Sequence, residues 1–307
     1  MKGRHILLEV TPPSRKAAMP AVSKAIGHVS KAVRELGRVD AINLPEIVEE
    51  NNAGAPFYRN MDPRDFGVLL RAVTGKRMVV NKVAVHFKDE AEFDSWLRHT
   101  LLDYEVEDVV FVGGTNNNNN YPGLSVLEAN KRALEFKKLN VGNICIPSRS
   151  GEVERLVAKT ESGCSFFTTQ LLFDALAAGN VIEGYVLECE RLGLRPAEFF
   201  LSFAPAGGKY DVDFFKWLGA QIPVGVERQL ESCKQGYVGE SIALADSVLR
   251  GVLARVEDRG LRVPLSLNIE AVSSQNLDYA KQMALALACV LDGKKQIDGG
   301  ERIAQTT

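Results

Sequence analysis

Cysteine is scarce in this chain: five in 307 residues, at positions 145, 164, 189, 233 and 289, with no CxxC pair among them. That number and spacing leave neither a disulfide framework nor a thiolate zinc site to build, and they favour a reducing cytoplasm. Histidine is rarer still, at four residues, and neither HxH nor HExxH occurs, so no metal site is expected. The GxSxG elbow of serine hydrolases is missing, as is a GxGxxG phosphate loop. Long hydrophobic runs are missing too. Met283 to Leu291 is one of the longest apolar stretches, well short of the roughly 20 residues that span a bilayer. Charge of one sign is not in excess: 37 basic residues face 39 acidic ones, for a net charge of −2. No basic block with interleaved aromatics appears, so nucleic acid is not an expected partner. No small-residue cleavage site follows the first charged residues, and no signal peptide is expected.

What is present is an alternation of short apolar runs and longer amphipathic stretches. Apolar residues make up 46% and charged residues 25%, enough to bury a large core without cross-links. Strand-like runs cover His5–Thr11, Val39–Leu44, Met78–Phe87, Val109–Val112, Asn143–Ile146, Ser165–Thr169, Phe199–Phe203 and Val263–Ile269. Helical stretches separate them, among them Ser14–Leu36, Asp89–Leu102, Ser125–Lys138, Gly151–Glu161, Leu172–Leu192 and Glu227–Arg259. Glu46 to Met61 reads as a long polar loop, and Asp62-Pro63 opens a helix, with proline at the tolerated first turn. Eight strand–helix units predict an α/β fold, a single (β/α)8 TIM barrel over 1–291, followed by a flexible tail over 292–307. The Asn116–Asn120 run reads as a surface loop.

A polar residue closes nearly every predicted strand: Glu9, Asn43, His86, Thr115, Ser148, Gln170, Lys209 and Glu270. In a closed parallel barrel these ends meet at one mouth, where the active sites of such barrels lie. Glu9 stands in a strand buried on both sides. Burial disfavours its charged form and raises its pKa, which suits a general acid near neutrality. The alternative for Glu9 is a structural ion pair. Gln170 carries an amide that donates and accepts at once, fit for the mixed edge of a heterocycle or for capping the next helix. Gly113-Gly114 lacks phosphate-loop spacing and reads as a tight strand exit.

Two segments together resemble a known family. Leu7-Leu8-Glu9-Val10-Thr11-Pro12-Pro13 is similar to the first-strand motif of methylenetetrahydrofolate reductases. Gly163-Cys164-Ser165-Phe166-Phe167-Thr168-Thr169-Gln170-Leu171-Leu172-Phe173-Asp174 is similar to that family's sixth-strand segment, with its central Thr-Gln. The resemblance implies NAD(P)H-linked reduction of 5,10-methylenetetrahydrofolate to 5-methyltetrahydrofolate, with a tetrahydrofolate-type substrate. It maps the general acid onto Glu9 and pterin binding onto Gln170. Thr115 and Glu270 are expected to join Gln170 in holding the substrate, and Asn43, His86 and Ser148 to hold the cofactor. The family's Arg-Gly-Asp turn after strand four is replaced here by Val112-Gly113-Gly114-Thr115-Asn116, which leaves FAD an open question. Asn43–Glu50, Ile146–Glu152 and Leu201-Ser202-Phe203 look more like divergent reductases of mycobacteria that work without bound flavin. The alternatives are a folate-dependent methyltransferase and a non-catalytic folate-binding partner in one-carbon metabolism.

Overall fold

A computed structural model describes residues 4–51, 54–114, 119–233, 236–272 and 276–293. The first two strands, β1 (Ile6–Val10) and β2 (Ala41–Leu44), are followed by a small hairpin of β3 (Val48–Glu50) and β4 (Pro56–Tyr58). Then come β5 (Arg77–Val83), β6 (Asp108–Val112), β7 (Asn140–Cys145), β8 (Phe166–Thr169), β9 (Glu198–Phe203) and β10 (Leu265–Ala271). Leaving the hairpin aside, the eight parallel strands close into a barrel, with β10 paired to β1. This is the (β/α)8 architecture that the alternation predicts.

Helices α1 (Met19–Leu36), α2 (Pro63–Thr74), α3 (Glu90–Leu102), α4 (Val126–Ala133), α5 (Glu152–Glu161) and α6 (Ala175–Leu192) follow successive barrel strands. After β9 come α7 (Lys209–Trp217), α8 (Val224–Ser232) and α9 (Tyr237–Asp258), and α10 (Leu277–Leu291) follows β10. Their starts are written in the sequence. The Asp62 side chain accepts from Arg64 N, with Pro63 in the first turn. Asp89 caps α3, and Ser125 with Glu128 forms a reciprocal capping box on α4. α6 runs unbroken through Gly179-Asn180.

Four expectations are corrected. The polar loop from 46 to 61 contains the β3–β4 hairpin. The third barrel strand ends at Val83, and Ala84–His86 forms a 3-10 turn. The single helix expected from Glu227 to Arg259 is two, α8 and α9. The last strand extends to Ala271, so Glu270 lies within it rather than after it. Residues 294–307 of the expected tail lie outside the described residues, as does the Thr115–Asn118 stretch.

Alternation within each strand divides the core in two. Residues such as Leu8, Ile42, Val80, Phe111, Phe167, Leu201 and Leu267 point outward and pack under the helices. Leu7, Ala41, Val79, Val110, Phe166 and Phe200 point inward and fill the lower barrel as an apolar plug. Above that plug the inward positions turn polar.

Candidate active site at the barrel mouth

Each strand is offset from its neighbour, so inward side chains from alternate strands meet on shared levels. The register places Glu9, Asn81, Ile144 and Ser202 on one level. Asn43, Val110, Thr168 and Asn268 lie on the level beneath. Gln170 and Glu270 face the mouth on the level above. Glu9 is in register with Asn43 on one side and with Glu270 on the other.

The Glu9 carboxyl is held by two amides. Asn43 Nδ2 donates to Glu9 Oε2 at 2.6 Å, and Asn268 Nδ2 donates to the same oxygen at 3.0 Å. Both bonds land on Oε2, so Oε1 is the oxygen left to carry a proton. Asn268 Nδ2 also reaches Ser202 Oγ at 3.0 Å and Glu270 Oε1 at 3.3 Å. One amide therefore touches both carboxyl groups. Burial pushes the Glu9 pKa up to about 7, against the opposing pull of the Asn268 and Asn43 hydrogen bonds. Glu270 is raised well above the usual carboxylate range, first by burial and then by the nearby Glu9 charge. Two desolvated carboxyls in register on adjacent strands resist ionising together, and near neutrality the pair retains a proton.

Gln170 stands at the end of β8 with both ends of its amide engaged. Its Oε1 accepts from Leu171 N at 3.0 Å, and its Nε2 donates to Leu218 O at 3.0 Å. It ties the barrel rim to the turn that ends α7. The link between β8 and the acid cluster runs through Ser202, whose backbone N donates to Thr169 Oγ1 at 2.8 Å.

On the β2–β5 side, the hairpin is fastened by buried charge. Glu46 accepts from Lys82 Nζ at 2.7 Å and from Val83 N at 2.9 Å. Lys82 lies within about 6 Å of the rings of Tyr58, Phe87 and Trp96. The Arg59 guanidinium pairs with Glu49 at 2.8 Å. His86 Nε2 meets Glu50 Oε1 at 2.9 Å, and Tyr121 OH donates to Glu50 Oε2 at 2.7 Å. A cavity of about 280 Å³ lies here, lined by Arg15, Glu46, Tyr58, Lys82, His86 and Trp96 among others. The acids after β2 thus secure the hairpin. Tyr121 also packs on the β6 exit: a Cβ on Gly114 would stand 2.3 Å from its ring. No side chain fits at Gly114 while Tyr121 is there.

The predicted site residues therefore separate. Glu9, Asn43 and Glu270 form one cluster, Gln170 stands on the rim, and His86 is buried in the hairpin network. Ser148 is exposed in the turn after β7. In that turn the working residue is Glu152, which accepts from Ile146 N at 2.9 Å and pairs with Arg149 at 2.6 Å. Lys209 opens α7 and pairs with Glu231 at 2.8 Å. Thr115 lies outside the described residues. Sequence reasoning missed Asn81, Thr168, Ser202 and Asn268. A signal for Asn268 existed: Ser266, Asn268 and Glu270 alternate with Leu265, Leu267 and Ile269, a polar inner face on a buried strand. Among the described residues no group of His, Cys, Asp and Glu is arranged to hold a metal ion, and no helix is long and apolar enough to cross a membrane.

No protein-family model and no curated protein matches this chain. Among solved structures, the chain superimposes on an uncharacterized protein from Clostridium thermocellum that binds two copies of 5-methyl-5,6,7,8-tetrahydrofolic acid. The TM-score is 0.77 at 20% sequence identity, over 94% of this chain and 96% of the other. The two proteins share a fold over that length.

Proposed function

We propose that this chain binds a reduced folate at the barrel mouth and reduces 5,10-methylenetetrahydrofolate to 5-methyltetrahydrofolate, with Glu9 as the proton donor. The observation that carries this reading is the Glu9 carboxyl: inside the barrel, held by Asn43 and Asn268, with its pKa pushed up to about 7. Two further facts support it. The motifs around Glu9 and Gln170 resemble those of methylenetetrahydrofolate reductases, and a protein of the same fold binds 5-methyltetrahydrofolate, which is the product of this reaction.

Methylenetetrahydrofolate is a cyclic aminal and a poor hydride acceptor until its ring opens to an iminium. Glu9 Oε1, which neither amide engages, would deliver the proton that opens the ring. Its pKa near the working pH keeps both forms populated, as general acid catalysis requires. Asn43 and Asn268 fix the carboxyl by its other oxygen. Burial and the Glu9 charge both oppose ionisation of Glu270, which disfavours a second negative charge in the site. NADH or NADPH, when bound, would supply the hydride. The reading takes the hydride directly from the nicotinamide, because residues 113–120 carry neither the arginine nor the aspartate of the family's turn after strand four.

The test is oxidation of NADH and NADPH by the purified protein, with and without methylenetetrahydrofolate. Folate-dependent oxidation is expected. Its absence with both nucleotides, in a protein that still binds 5-methyltetrahydrofolate, would refute the reductase step. That outcome would leave the second reading, a folate-binding or methyl-transferring barrel. The Gln170 amide, committed to Leu171 and Leu218, speaks against Gln170 as the pterin ligand under either reading.

A further inference from the structure

All but one of the carboxamides around the acid are already engaged. Asn43 and Asn268 donate to Glu9, and Gln170 spans Leu171 and Leu218. The exception is Asn81. Its side chain makes no hydrogen bond among the described residues, its Oδ1 is buried without a donor, and only 8% of the residue is exposed. Asn81 shares its strand face with Val79, which belongs to the inner apolar plug, so its side chain points into the barrel. The strand register puts it on the level of Glu9 itself. Thr168 Oγ1 and Asn43 Oδ1, on the level beneath, are likewise buried without partners.

A buried polar group left unpaired costs on the order of 1–3 kcal/mol. Native proteins keep few of these, and breaches of this kind gather at functional sites. Here three lie inside one barrel, on two adjacent levels, around one acid. An amide presents a carbonyl acceptor beside an N–H donor. The complementary edge is a heterocycle with an N–H next to a C=O, as on the pyrimidinone ring of a pterin.

We infer that Asn81 is the substrate-orienting amide of this site: it takes the N–H and C=O edge of the pyrimidinone ring, the part that the sequence assigns to Gln170. The choice of ligand rests on the folate reading above. The inference adds that no described protein group donates to Asn81 Oδ1, which leaves that hydrogen bond to the ligand.

Asn81→Leu tests this, since leucine is close in size and removes both polar atoms. Thermal melting and calorimetric titration would be run with 5-methyltetrahydrofolate and with p-aminobenzoylglutamate, which lacks the pterin. The melting temperature is expected to rise by a few degrees, affinity for 5-methyltetrahydrofolate to fall at least tenfold, and affinity for p-aminobenzoylglutamate to stay unchanged. Asn81→Ala, which leaves space rather than a new contact, should show the same selective loss. A 5-methyltetrahydrofolate constant unchanged in both variants overturns the role of Asn81 alone. Equal losses for both ligands overturn it as well, because a general distortion of the mouth acts that way. If the wild-type protein binds no 5-methyltetrahydrofolate, the folate reading fails, and with it the ligand named here.

Discussion

Replacing Glu9 by glutamine should make the protein more stable above neutral pH while removing its proposed chemistry. The substitution is nearly isosteric with the protonated acid. Both hydrogen bonds to Glu9 end on Oε2, so the glutamine carbonyl can accept them while its NH2 takes the place of Oε1. The sign follows from linkage. The native pKa of Glu9 is raised from 4.5 to about 7, so between these values the native state binds more protons than the unfolded chain. Wild-type stability therefore falls as pH rises through that window, with no penalty below it and the full penalty above it. At about 1.4 kcal/mol per pKa unit, the penalty is roughly 3 kcal/mol. For a chain of this length the unfolding entropy is roughly 0.6 kcal/mol/K, which makes that about 5 °C in melting temperature. Glu9→Gln should melt at nearly the wild-type temperature at pH 4.5 and about 5 °C higher at pH 8, by scanning calorimetry in matched salt. An offset that is the same at both pH values, or a variant less stable than wild type at pH 8, refutes the placement of a proton on this carboxyl. In the same protein, folate binding should survive while turnover drops by about two orders of magnitude or more, the scale of a lost general acid.

The hairpin latch gives a second expectation. Lys82 and Glu46 are a largely buried pair, and Lys82→Met strands the carboxylate at a cost of about 3–5 kcal/mol, visible as a lower denaturation midpoint that Glu46→Gln in the same chain partly restores. Gln170→Ala frees Leu218 O and should cost about 1 kcal/mol, with faster proteolytic cleavage near residue 218 and a folate constant changed less than twofold. A tenfold weaker constant would return pterin binding to Gln170. Thiol labelling of the native protein should modify Cys233 and Cys289 first, because Cys145, Cys164 and Cys189 are buried and burial pushes their thiols up in pKa. Rapid labelling of Cys145 without unfolding would contradict the packing under the helices.

The barrel was legible because its signals are local. Apolar runs of strand length, prolines after Thr11, Leu44 and Ile146, and capping residues at Asp62, Asp89 and Ser125 each act within a few residues, and the eightfold repetition did the rest. Glu9 was legible because a lone acid in an apolar strand is costly and therefore conspicuous. The β3–β4 hairpin was not, since Val48–Glu50 and Pro56–Tyr58 are three residues each and are held by contacts to Lys82, His86 and Tyr121, far away in sequence. Asn81 was missed for a related reason: between Val80 and Lys82 it reads as an ordinary break in a strand, and only the register with β2 brings it level with Glu9. Gln170 was expected to hold the pterin, and nothing near it in sequence announces Leu218 as the acceptor its amide takes.

The acid pair spans the seam of the barrel. Glu9 belongs to the opening strand of the chain and Glu270 to the closing one, and Asn268 joins them across the last edge to be zipped. Residues 4–200 hold most of the barrel wall and the Glu9–Asn43 pair, but neither Asn268 nor Glu270. The paired carboxyls are assembled only when β10 closes against β1, so a fragment without β10 lacks both Asn268 and Glu270 and keeps only the Asn43 bond to Glu9.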